Sequence, residues 1–94
     1  MYKLEDKYYD NEKGYIYIPI RWREEFDISN GSMVGIDCED GVVIIDKDTT
    51  REFIQKISKR GALTIPLELR QKLKYKRYSI YIVHAEEKVI LKVQ

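Results

Sequence analysis

The run Lys59-Arg60-Gly61-Ala62-Leu63-Thr64-Ile65-Pro66-Leu67-Glu68-Leu69-Arg70 passes from a basic pair through a glycine and a β-prone segment to a proline-led helix. Ala62–Ile65 follows a glycine and carries β-branched residues, which suits a short strand. Pro66 has a fixed φ and no N–H, both harmless at a helix start, so a helix is predicted near 67–73. Leu69 and Leu73 then stand four apart on one packed face, leaving Glu68, Gln71 and Lys72 to solvent.

Moving 47 residues upstream finds the pattern again, in Gly14-Tyr15-Ile16-Tyr17-Ile18-Pro19-Ile20-Arg21-Trp22-Arg23. Residues 14–46 align with 61–93 without a gap, with 7 identities in 33 positions: Gly14/Gly61, Ile18/Ile65, Pro19/Pro66, Arg23/Arg70, Ser32/Ser79, Glu39/Glu86 and Val42/Val89. Apolar pairs such as Ile20/Leu67, Phe26/Leu73 and Val43/Ile90 fill in between. Repeats preserve turn residues and core faces first, so the chain reads as two copies of one unit. The first copy places a helix near 20–26, with Trp22 and Phe26 on its packed face. A β-hairpin follows each helix. In the first copy Met33–Cys38 and Val42–Ile45 flank Asp40-Gly41, a pair that favours a type I′ turn; in the second Ser79–Ala85 and Val89–Val93 surround Glu86-Glu87-Lys88.

A unit of roughly 45 residues buries too little apolar area to fold alone. The two copies are therefore expected to interlock into a single domain over 1–94, with repeat one at about 8–46, a linker at about 47–53 and repeat two at about 54–93. The 94 residues, 44% hydrophobic and 35% charged, suit one such core. No apolar run approaches the roughly 20 residues of a membrane helix, and Met1–Asp6 lacks the apolar core of a signal peptide, so a cytoplasmic protein with no membrane partner is expected. Cys38 is the only cysteine, which excludes an internal disulfide and a thiolate cluster within one chain. The net charge of +1 conceals an asymmetry: residues 1–47 hold 6 Lys/Arg against 11 Asp/Glu, a net of −5, and residues 48–94 hold 11 against 5, a net of +6. Two faces with different partners are implied.

The 59–70 run resembles the signature of the AbrB/MazE/SpoVT family, in which a glycine turn leads through a strand to Ile-Pro and a short helix bearing Leu and Arg. The resemblance covers nearly all of 54–93 and, less closely, 14–23. It implies a mainly β fold with short helices, a swapped-hairpin AbrB-like β-barrel built as a pseudo-dimer by the two tandem repeats. The family's MraZ branch also carries two copies, although this chain is shorter and lacks an evident set of extra helices. The resemblance further implies transcription regulation through double-stranded DNA, bound by basic residues around the glycine turn and on the helix. Carried over residue by residue, those are Lys56, Lys59, Arg60 and Arg70 in the second copy, matched in the first by Tyr9, Glu12, Lys13 and Arg23; Lys72 and Arg21, also basic, are added as candidate DNA contacts. Where the family commonly has Arg after the glycine, this chain has Tyr15 and Ala62; in place of the second Arg of the helix pair it has Glu24 and Gln71.

Cations on a rigid scaffold release counterions from the DNA backbone, and Arg can also bridge guanine O6 and N7. Arg60 and Arg70 lead on that reasoning. Lys72, Lys74, Lys76 and Arg77 have the competing explanation of complementing a helix C-terminus and keeping the surface wet. The alternative function is a protein-binding module, antitoxin or antirepressor, or self-association, acting through the acidic first repeat, where Tyr8, Tyr9, Tyr15 and Tyr17 cluster. Catalysis is not expected, because one histidine, His84, and one cysteine offer no positioned pair. The paired acids at the hairpin tips, Glu39-Asp40 and Glu86-Glu87, read as solvated turns; no metal and no cofactor is expected.

Overall fold

The computed structural model describes residues 1–93 and is mainly β with two short helices. The first half runs β1 (Tyr2–Asp10), β2 (Tyr15–Tyr17), α1 (Ile20–Glu25), β3 (Met33–Glu39) and β4 (Val42–Asp46). The second runs β5 (Phe53–Lys56), β6 (Ala62–Thr64), α2 (Leu67–Lys72), β7 (Arg77–Val83) and β8 (Lys88–Val93), with a 3-10 turn at His84–Glu86. β1 begins well before residue 8, its pattern masked in sequence by Glu5-Asp6-Lys7, and Phe53 belongs to β5 rather than to the linker. The prolines sit just ahead of the helices, and their carbonyls accept the first helical bonds, from Trp22 and Arg23 and from Leu69 and Arg70.

The halves are interleaved. β1 pairs with β7 of the second half, and β5 pairs with β3 of the first; β4 and β8 join the two hairpins, and β2 pairs with β6. All these pairings are antiparallel. The main sheet has the order β1-β7-β8-β4-β3-β5, and β2-β6 form a separate ribbon. A closed barrel, expected above, is not what forms: the six-stranded sheet is open, with β1 and β5 as its edges. Immediately after each edge strand a turn redirects the chain into the ribbon, so the residues that could have closed the sheet pair with each other instead. Ile16 and Leu63 point from the ribbon into one core with Ile18, Trp22, Leu69 and Ile80.

The 47-residue offset holds from Gly14/Gly61 to the helix ends and then fails. Phe26–Ser32 joins α1 to β3, whereas Leu73–Lys76 joins α2 to β7 with three residues fewer. Buried Val34, Gly35 and Ile36 therefore correspond to Tyr78, Ser79 and Ile80, and the bond from Ile57 N–H to the Ser32 carbonyl corresponds to that from Asn11 N–H to the Lys76 carbonyl. The second hairpin makes up most of the difference. Glu39 pairs with Val42 across Asp40-Gly41, both at positive φ as a type I′ turn requires, but Val83 pairs with Lys88 across the four residues His84–Glu87. Ser32/Ser79, Glu39/Glu86 and Val42/Val89 are thus coincidences of a deletion and an insertion that nearly cancel.

The linker is fixed by a compact ion cluster. Arg51 donates from Nε and Nη2 to the two carboxylate oxygens of Asp46, both at 2.7 Å, and from Nη1 to Asp37 at 3.0 Å. Burial works against the Asp46 carboxylate, but hydrogen bonds from Arg51 and from the Asp48 N–H outweigh it and hold its pKa below the usual carboxylate value.

Candidate nucleic-acid interface

Gly14 and Gly61 open the two ribbon strands at φ +78° and +82°, a backbone conformation that favours glycine. Each lends its carbonyl to the opposite half: Ile18 N–H donates to the Gly61 carbonyl (2.9 Å) and Ile65 N–H to the Gly14 carbonyl (2.8 Å). Because β2 and β6 run antiparallel, the turn at Lys13-Gly14 lies at one end of the ribbon and the turn at Lys59-Arg60-Gly61 at the other.

The helix arginines complete these turns crosswise. The Arg23 guanidinium of the first half lies against Gly61, and that of Arg70 against Gly14; a Cβ on either glycine would sit 2.5 Å from the arginine. Arg70 donates from Nε and Nη2 to the Asn11 carbonyl (both 3.2 Å) and from Nη2 to the Glu12 carbonyl (3.0 Å). Arg23 donates from Nε to the Ile18 carbonyl at 2.8 Å. Both guanidinium groups are therefore engaged in holding backbone, a role that their sequence position did not reveal. Tyr9 lies beneath the first turn, its hydroxyl donating to Asn11 Oδ1 at 2.9 Å. Burial pushes the Tyr9 phenol up to about 12, and the nearby Arg70 charge only partly offsets this.

The other basic residues fall into distinct places. Lys59 and Arg60 are exposed in the second turn, beside Arg23, and Lys56 is exposed at the end of β5 just before them. Lys13 is exposed in the first turn, where the neighbouring Glu12 carboxylate pairs with Lys76 at 3.4 Å. Arg21 is exposed and stacks over the Trp22 ring at 4.7 Å. Lys72 ends α2 and joins neither turn; it borders a groove shared with the β3–β4 hairpin. The basic set at the second turn thus draws on both halves, through Arg23, rather than on the second repeat alone.

The outer face of the ribbon is uncharged, carrying Tyr15, Tyr17 and Thr64, with the two tyrosine rings edge to face at 5.5 Å. Of the four tyrosines expected to cluster, Tyr9 is buried and Tyr8, exposed on β1 with the Arg77 guanidinium 4.4 Å from its ring, lies off the ribbon, so Tyr15 and Tyr17 share this face. Ile20 and Leu67, an apolar pair in the repeat alignment, are 64% and 61% exposed. Each lies two residues before the buried helix position, Trp22 or Leu69, and so on the opposite side of the helix. No family model, no curated protein and no solved structure matches this chain.

Proposed function

We propose that the chain is a cytoplasmic, sequence-specific DNA-binding transcription regulator of AbrB-like type, its two repeats forming a swapped-hairpin pseudo-dimer. The observation that carries this reading is the exposed basic turn Lys59-Arg60, without an ion-pair partner among the described residues, braced from the other half by Arg23 and followed at once by the glycine that starts the ribbon. The interleaving of β1 with β7 and of β5 with β3 is the strand exchange that a fused swapped-hairpin dimer would make. In this scheme Lys56, Lys59 and Arg60 contact phosphates or base edges, Lys13 adds a weaker contact at the far end of the ribbon, and Arg23 and Arg70 hold the turns in shape.

The test is fluorescence anisotropy with a mixed-sequence duplex pool across a salt series, followed by selection from the pool. Binding should weaken steeply with salt, and Lys59→Glu/Arg60→Glu should lower both the affinity and the salt slope, the latter by about 2 at roughly one per lost phosphate contact, with thermal unfolding unchanged. Absence of binding at low salt would overturn the reading. One observation favours a second reading, that of a protein-binding module: Tyr15, Tyr17, Ile20 and Leu67 are all exposed, an aromatic and aliphatic set of the kind enriched at protein interfaces. Retained partner capture by the Lys59→Glu/Arg60→Glu protein, lost in Tyr17→Ser, would support it.

A further inference from the structure

The junction between each helix and the opposite hairpin occurs twice, and only one of the two is filled. In the first half the end of α1 meets the β7–β8 hairpin, where His84 packs against Trp22 and Phe26 with ring centroids 5.9 and 6.1 Å apart. The two acids there are matched: Glu25 meets His84 Nε2 at 3.3 Å and Asp27 meets Lys47 at 3.6 Å. In the second half the end of α2 meets the β3–β4 hairpin, whose two-residue turn Asp40-Gly41 is too short to reach over it. What remains is a groove of about 510 Å³.

Its chemistry is the reverse of the filled junction. Leu73, Tyr78, Val42 and Val93 supply apolar surface, and Cys38 adds a half-buried thiol. Lys72 stands where the first half has Glu25, and Lys74 lies two residues beyond it; Lys92 also borders the groove, with its ammonium over the Tyr81 ring at 5.4 Å. Among the described residues Asp40 is the single carboxylate of the lining, and none of the three lysines has an ion-pair partner. A largely apolar groove of this size bordered by cations has the character of a small-molecule site rather than of a protein footprint.

We propose that this groove binds a small amphipathic anion, a medium-length acyl chain with a carboxylate head, the chain on Leu73, Tyr78 and Val93 and the head beside Lys72 and Lys74. Charge complementarity selects the head, and the apolar lining selects the tail. The inference is independent of whether the protein binds DNA.

The probe is decanoate below its micellar concentration, titrated into the full chain labelled for amide NMR. Saturable shifts are expected at Val42 and at Lys72–Tyr75, together with slower alkylation of Cys38 by iodoacetamide. Decanol should bind at least tenfold more weakly, and Lys72→Glu/Lys74→Glu should weaken decanoate tenfold or more; these side chains are exposed, and Lys72→Gln/Lys74→Gln serves as the milder pair if the double reversal unfolds. Equal binding of decanol, insensitivity to both variants, or shifts centred on another surface would overturn the proposal. So would a response of the same residues to an acidic, aromatic peptide with none to decanoate, which would reassign the groove to a protein segment.

Discussion

The two glycine turns and the two helix–hairpin junctions differ in how far the halves have diverged. At the turns, Gly14 faces Arg70 and Gly61 faces Arg23, with the same reciprocal backbone bonds. At the junctions one site holds a histidine among paired acids, and the other is an open groove among lysines. A turn that receives its arginine from the opposite half cannot change without its partner. A junction can lose or gain loop residues on its own, because the cost falls on exposed connections, which tolerate length changes.

The sharpest way to break this picture is to cut the anchor between the halves. Arg51→Ala leaves Asp46 and Asp37 facing each other with little solvent access, and removal of one partner of such a cluster costs about 3 kcal/mol; urea unfolding should show it. The same cluster sets an acid limit. Asp46 has a native pKa below its unfolded value of about 3.9, so its contribution is full above that value and is lost as pH falls through the native one. The Arg51→Ala protein should therefore lose less stability than the parent between about pH 5 and about pH 2.

The arginine exchange is next in size. Arg70→Ala removes three donor contacts to two carbonyls and should cost about 2 kcal/mol, whereas Arg23→Ala removes one and should cost about 1 kcal/mol. For a chain of this length each kcal/mol lowers Tm by roughly 4–8 °C, so calorimetry separates the two. Equal losses would mean that the guanidinium–glycine packing, common to both, matters more than the hydrogen bonds. The smallest effect is expected at the filled junction. His84→Ala should cost under about 1 kcal/mol, as an exposed contact, yet uncover Trp22, the only tryptophan, giving red-shifted emission and stronger iodide quenching. Unchanged quenching would show that Tyr2, which packs on the same indole at 5.4 Å, suffices as its cover.

The glycine–strand–proline–helix segments were legible because each feature is local: a positive-φ glycine, a short alternation, and a proline whose carbonyl starts the helix. Hairpins were legible in kind, and the Asp40-Gly41 turn in detail. The strand register of the second half was not, since three residues lost before β7 and two gained after it restore nearly the original spacing and disguise the change as a gapless repeat. At the site, Lys59 and Arg60 stand exposed as charge alone would place them. Arg23 and Arg70 were marked by their repetition, but the direction in which they reach depends on which half they face, and that lies in the tertiary arrangement. Ile20 and Leu67 make a related point: similarity between repeats is shared by surface positions as well as core ones.

An open sheet has rims, and each exposed rim is a template on which another chain could add a strand and begin a polymer. Here the β1 rim is interrupted between Lys3 and Tyr8, where the pairing register jumps and Asp6 turns to φ +59° between Glu5 and Lys7. The β5 rim is only four residues long and ends in Lys56. Charged kinks and short lengths are how β-sheet edges resist adding strands, so straightening the first rim, with Asp6→Val as the simplest route, should turn this edge into a seed for aggregation.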